Sequence, residues 1–371
     1  MKINVLKERL ISMAPPEIYD WGPWQFPMLY KVNDILYLEF HQAEDSAKDY
    51  GKEKKKYQSF DLGKTWFETN EYGGYQLQNG SVIVPHVCKP FKVDDISLGN
   101  PLKTVVNYGI SVDLYPIEQV SEDYRKWYFK IFDHGKWTVH QADVSVPGYL
   151  MTSIQGVFPQ PFLWQMATDS EGNLYSPAYK MMHDQFKTTG YCHAIYLKST
   201  DNGKSFNLIS QIPYCPPYEQ DDLSLKRYGF TEPNLCFIDK DTAYTLLRTT
   251  DGAGIGPLYI AWSHDGANTW SSPEYFDDLG VWPQSVLLEN GVSIAGYGRP
   301  GLYIRTYHNN AWSDRIEIVT PTEYQQDTCS YCAIQPISEN SALIVYSRFN
   351  YPDESGRKRK VMMCREIEIE V

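Results

Sequence analysis

Apolar and polar positions along this chain seldom follow a helical period. Short runs rich in β-branched and aromatic residues recur instead, each introduced by a turn. Asn33-Asp34 leads into 35–42, Asn79-Gly80 into 81–89, and Gly172-Asn173 into 174–183. Asp239 to Asp241 leads into 242–250, Asn290-Gly291 into 292–300, and Glu339-Asn340 into 341–349. Turn residues of this kind ahead of such runs are hairpin signals. No long amphipathic helix breaks the series. A further strand follows each run, so the pattern predicts an all-β chain. Its expected form is a six-bladed β-propeller of four-stranded antiparallel blades, with residues 1–371 as a single domain. The runs are expected to be the innermost strand of each blade.

A second pattern lies on top of the first. Ser59-Phe60-Asp61-Leu62-Gly63-Lys64-Thr65-Trp66 recurs as Ser199-Thr200-Asp201-Asn202-Gly203-Lys204-Ser205-Phe206 and as Ser263-His264-Asp265-Gly266-Ala267-Asn268-Thr269-Trp270. Asp and Ser side chains bond their own turn backbone, Gly relaxes the turn, and the aromatic residue plugs the layer beside it. Three copies of one spaced pattern mark a repeat architecture. Shorter remnants stand at 133–137 and 309–312. These motifs read as structural turns. Residues 43–56, with the Lys52–Lys56 charge run, and 212–227 read as loop insertions.

The ends of the six runs carry candidate chemistry. They are His41, His86, Lys180, Arg248, Arg299 and Arg348, one cationic or imidazole group per unit. The whole chain has a formal net charge of −12, which argues against nucleic acid and anionic membrane surfaces as partners. Cations gathered locally in an acidic chain point to an anionic ligand. Tyr (29) and Trp (10) are abundant, which suits both β-structure and a sugar-binding cleft. The N-terminal stretch has no apolar h-region, no run reaches 18 apolar residues, and seven cysteines lack a framework spacing. Together these predict a cytoplasmic protein with free thiols. Cys329 and Cys332 form C-x-x-C without a thioredoxin-like helix start, so no redox role is assigned. No His pair has metal-ligand spacing, and no cofactor motif is present.

The repeated S-x-D-x-G-x-T-W turn resembles the Asp-box of the sialidase-like β-propeller superfamily. Glu232-Pro233, Leu246-Leu247-Arg248 and the following 263–270 motif resemble the fourth-blade region of exo-sialidases. Gly298-Arg299 resembles the next carboxylate-binding arginine of that family, and Ser330-Tyr331 its nucleophilic tyrosine motif. Residues 36–50 align with the segment that ends in the family's acid/base aspartate, which falls on Asp49. The resemblance implies a retaining glycoside hydrolase in which Tyr331 attacks, Glu232 takes its proton, and Asp49 protonates the leaving oxygen and then activates water. Arg248 and Arg299 would hold a carboxylate, which a guanidinium fork matches. Two departures shape the expected substrate. Gln25-Phe26-Pro27 stands where the family has Arg-Ile-Pro, and His41 and Ala43 replace an Asp and an Arg. An acidic sugar, uronic or sialic-acid-like, at the end of an oligosaccharide is the expected substrate. A lyase acting on a uronate, with His41, His86 or Tyr331 as base, and a non-catalytic carbohydrate-binding propeller remain open as alternatives.

Overall fold

The computed structural model describes residues 1–45, 54–85, 91–92, 98–107, 109–122, 127–154, 156–158, 165–183, 190–250, 254–322 and 327–371. Asp49 and His86 lie outside the described residues. The architecture is all-β, and the described residues contain no α-helix, only short 3-10 turns such as Ile117–Gln119 and Ser224–Lys226. No helix there is long and apolar enough to cross a membrane. The chain divides into two compact units, one formed by Met1–Gln76 with Val281–Val371 and the other by Leu77–Gly280.

The first unit contains three antiparallel sheets. One runs in the order Gln25–Val32, Ile35–His41, Lys54–Ser59, Phe67–Glu68. Another runs Val281–Leu287, Ser293–Gly298, Leu302–His308, with Ala311–Trp312 and Ile316–Val319 both on the last of these. The third runs Cys332–Ser338, Ser341–Pro352, Lys358–Glu370, and then takes Lys2–Val5 from the other end of the sequence. Leu36, Leu38 and Phe40 alternate inward and pack with Leu343, Val345 and Met362. Each such side chain removed from water contributes roughly 1.5–3 kcal/mol.

In the second unit, Cys236–Phe237, Ala243–Arg248, Leu258–Ser263 and Glu274–Asp277 form one sheet. All six residues of Ala243–Arg248 are buried, as expected of a strand covered on both faces. Ala167–Thr168, Leu174–Met181, Cys192–Ser199 and Ser205–Ile212 form another. A parallel pairing of Ser205–Ile212 with Lys136–Ser145 extends it to Trp127–Asp133 and Val82–Pro85. A further sheet of Lys103–Asn107, Ile110–Pro116, Leu150–Ile154, Val157–Phe158 and Phe91–Lys92 corresponds to no run singled out in the sequence.

Each of the six apolar runs forms a strand over part of its described length, but the place of these strands differs from the expectation. In five of the sheets the run is the second strand, and the first is often only two residues long. Two residues carry no readable periodicity, so the run stood out alone.

The three repeated turns link third strands to fourth strands and are built identically. Ser59 Oγ donates to Asp61 Oδ1 (2.8 Å) and accepts from Gly63 N (2.8 Å), while Thr65 N and Oγ1 donate to Asp61 (2.9 and 2.6 Å). Asp201 and Asp265 repeat this. Burial would raise the Asp61 carboxyl, but bonds from Thr65, Ser59 and Lys64 outweigh it and bring it down to about 2. Gly63 (φ +87°) and Gly203 (φ +82°) sit in the left-handed region, where an added Cβ would fall 2.5 Å from Leu343 and 2.3 Å from Ile83. Ala267 adopts the same left-handed conformation (φ 66°) and packs fully buried in the core beside Tyr196 and Tyr259, so the third copy holds the turn with a methyl group in place of glycine.

Candidate functional site

Arg299 follows the strand Ser293–Gly298 at a turn in which its N–H donates to Gly301 O (3.2 Å). A Cβ on Gly298 would lie 2.2 Å from the Gly301 carbonyl, so this close turn requires glycine. Arg299 is 6% exposed. Its Nη2 donates to the Cys329 carbonyl (2.7 Å), and its guanidinium lies 5.3 Å from the Trp21 ring and 5.8 Å from the Tyr331 ring. Its Nε has no hydrogen-bond partner, and no carboxylate among the described residues pairs with it.

Aromatic rings around this cation form a continuous cluster. Tyr331 stacks on Trp282 (4.8 Å, 24°) and meets Phe26 edge-on (4.7 Å, 83°). Phe26 in turn meets Trp21 (6.3 Å) and His41 (5.0 Å). Gln25, beside Phe26, is 0% exposed; its Oε1 accepts from Gly22 N (3.1 Å), and its Nε2 has no partner. Burial, and then the neighbouring Lys54, bring the His41 imidazole down to about 4, so it is uncharged at neutral pH. Lys54 itself is engaged by Glu39.

Backbone strain concentrates here. Phe26, Trp282, Arg299 and Ser330 all have positive φ, from 48° to 76°. Non-glycine residues in that region cost about 1–3 kcal/mol each and tend to cluster at ligand-binding sites.

Gln25, His41, Arg299 and Tyr331 are thus brought into one neighbourhood of the first unit. Arg348 belongs to the same unit but is engaged elsewhere. Its Nη1 binds Glu8 (2.9 Å), whose other oxygen accepts from the Tyr346 hydroxyl (2.7 Å).

The second unit holds the other predicted residues. Arg248 ends the strand Ala243–Arg248 and is 4% exposed; Glu232 meets it at 2.6 Å. Thr231 N donates to the Arg248 carbonyl (2.8 Å), and Glu232 has φ 46°. Lys180 lies over the Trp127 and Tyr149 rings (5.7 and 5.5 Å), and burial lowers its ammonium to about 8.

Sequence reasoning did not single out Trp21 or Trp282, whose role depends on contacts far along the chain. The signals available were the Trp21-Gly22-Pro23-Trp24 cluster and the Trp282-Pro283 pair near the start of the strand Val281–Leu287. Cys329 and Cys332 are free and buried, and the Cys329 carbonyl, not its thiol, is what Arg299 uses. Among the described residues no group of His, Cys, Asp and Glu is arranged to hold a metal ion.

No family model and no curated protein matches the chain. Among solved structures it is similar to a protein of unknown function from Dyadobacter fermentans DSM 18053, with TM-score 0.66 and 17% identity over 99% of both chains. It is also similar to the NanB sialidase of Streptococcus pneumoniae, with TM-score 0.53 and 14% identity over 97% of this chain and 70% of that one. An α-L-arabinanase of Penicillium chrysogenum, solved with arabinobiose, gives TM-score 0.51 and 16% identity over 97% and 98%. At such identities the likeness is one of fold alone, shared with this sialidase and this arabinanase.

Proposed function

We propose that the protein is a sugar-acting, six-bladed propeller of glycoside hydrolase type that binds an acidic sugar through Arg299. The observation that carries this reading is a buried guanidinium without a carboxylate partner among the described residues, set among aromatic rings. A buried charge is costly unless paired, so a ligand carboxylate is the natural counter-ion. The rings of Trp21, Phe26 and Tyr331 offer apolar faces to a pyranose, and the Gln25 amide offers a neutral donor where sialidases have an arginine. That substitution favours a single-guanidinium grip on a uronic acid over the stronger grip a sialic acid receives.

In this reading Tyr331 is the nucleophile. A glycosyl–oxygen bond forms to Tyr331 as the bond to the leaving oxygen breaks, and water then releases the sugar with retained configuration. The roles of Glu232 as base and Asp49 as acid/base rest on the resemblance alone. A uronate lyase is the second reading, favoured by an uncharged His41 beside Phe26. A base of that low pKa is weak, which ranks it second.

The test is a screen of wild type and Arg299→Met against sialylated, uronic-acid-terminated and neutral oligosaccharides, read by mass spectrometry and ultraviolet absorbance. Gain of one water across the products of an acidic substrate, lost in the variant, supports the reading. An unsaturated uronide without added water replaces it with the lyase. Turnover of neutral substrates alone, unchanged in the variant, removes Arg299 from it.

A further inference from the structure

A cleft of about 780 Å³, apart from the Arg299 neighbourhood, lies wholly within the unit formed by Leu77–Gly280. It lies between the end of the strand Ser205–Ile212, the insertion after it, Tyr259, the third repeated turn at Asn268 to Trp270, and Tyr275. Its walls are held firmly. The insertion is fixed by a buried ion pair, with Arg227 Nη2 and Nε donating to the two Asp221 oxygens (2.8 and 3.0 Å), and by the Tyr214 hydroxyl donating to Ser224 O (2.8 Å). Tyr218 packs at 5.0 Å against Tyr259, and Trp270 at 4.5 Å against Tyr196, with its Nε1 donating to Ser210 Oγ (3.0 Å).

Three features make this cleft a site. Tyr259 is 1% exposed, lines the cleft, and its hydroxyl has no hydrogen-bond partner; Gln211 Oε1, also in the wall, is buried and unpartnered. Buried polar groups are nearly always satisfied, so two orphans in one wall mark positions that a ligand can satisfy. Tyr275 is 38% exposed and packs edge-to-face on the buried Tyr259 (6.1 Å, 81°), which holds its ring at the border of the cleft. Finally, among the described residues no Lys or Arg lines the cleft, and Glu219 is its sole carboxylate.

We infer that this cleft is a second carbohydrate site, one that binds a neutral oligosaccharide without transforming it. Aromatic faces take the C–H side of a pyranose ring, while the Tyr259 hydroxyl and the Gln211 carbonyl bond ring hydroxyls as donor and acceptor. The absence of a lining cation selects against the acidic sugar assigned to Arg299. The inference stands apart from that assignment, since the two sites share no residue.

The experiment is titration calorimetry and saturation-transfer NMR of the whole chain with maltotetraose, cellotetraose and xylotetraose, and with a galacturonate trisaccharide as the acidic comparator. Wild type, Tyr275→Ala, Ser272→Trp and Arg299→Met are compared, with thermal unfolding as the check of folding. Tyr275 and Ser272 are exposed, so both variants keep the fold. The expected result is binding of at least one neutral tetrasaccharide that Tyr275→Ala weakens about tenfold, that Ser272→Trp abolishes by filling the cleft, and that Arg299→Met leaves unchanged. No binding of any neutral tetrasaccharide at millimolar concentration overturns the inference. So does neutral binding that survives both cleft variants and disappears with Arg299→Met, which would place the sugar at Arg299.

Discussion

Arg248 and Arg299 look alike in the sequence, each closing an apolar run of the same kind. They are also alike in burial, 4% and 6% exposed. Their surroundings differ in one respect. Arg248 meets Glu232 at 2.6 Å, whereas Arg299 has a backbone carbonyl, two aromatic rings and no carboxylate among the described residues. An arginine neutralised by its own chain contributes to structure. One without a carboxylate partner among the described residues is, under the proposed function, the group that a ligand carboxylate would meet. Burial alone does not separate these roles, but the partner does.

The comparison can be broken most sharply at Glu232. Glu232→Ala leaves Arg248 buried without its anion, and the expected loss is about 3–5 kcal/mol in denaturant unfolding. Arg299→Met, by contrast, removes a charge that no carboxylate among the described residues offsets, and its unfolding midpoint should stay level or rise. A fall as large as that of Glu232→Ala would show that Arg299 is structural after all.

His41 provides the next test. Its folded pKa, about 4, lies below the ordinary 6.5. Between these values the unfolded chain binds a proton that the folded chain refuses. Stability is therefore whole above about pH 6.5, falls as pH drops toward 4, and levels below. The loss is about 3 kcal/mol. His41→Gln should flatten that slope, measured as unfolding free energy against pH, and a slope that persists would assign it to other groups.

Ligand affinity comes third. Arg299→Met should weaken binding of a uronic-acid-terminated oligosaccharide by about 1.5–3 kcal/mol, roughly 10- to 150-fold, measured by calorimetry. Arg348→Met, which removes the partner of Glu8, should leave that affinity unaltered. The smallest effect is expected at the repeated turns. Asp265→Ala removes the acceptor of Thr269 N, Thr269 Oγ1 and Ser263 Oγ and should cost about 1 kcal/mol of stability, with binding of the uronic-acid-terminated oligosaccharide unchanged.

Much of the scaffold was legible because its signals are local. The 59–66, 199–206 and 263–270 turns close on bonds within eight residues, and side-chain type alone announces them. The runs at 242–250 and 341–349 were legible as strands because their apolar character is continuous. Their place as second strands was not, since first strands such as Ala167–Thr168 are too short to show a pattern. The sheet containing Ile110–Pro116 was missed for a similar reason, having no turn motif to mark it. At the site, residue types that could bind an anion were visible, but partners were not. Nothing near Arg348 reveals Glu8, which lies 340 residues away, and nothing near Arg299 reveals Trp21.

The unit that holds Arg299 is assembled from both flanks of the sequence, Met1–Gln76 and Val281–Val371, with the whole of the other unit encoded between them. On a ribosome adding about 5–20 residues per second, its first strands wait roughly 10–40 s before Val281 is even joined to the chain. Ile35–His41 and its neighbours must stay unaggregated through that interval while the intervening unit emerges and folds. The lysines at Lys54, Lys55 and Lys56, on the strand beside Ile35–His41, are well placed to keep the nascent segment in solution. A stall or a slow codon stretch within 77–280 would lengthen the wait, so the yield of this protein should depend on translation speed in its middle more than at either flank.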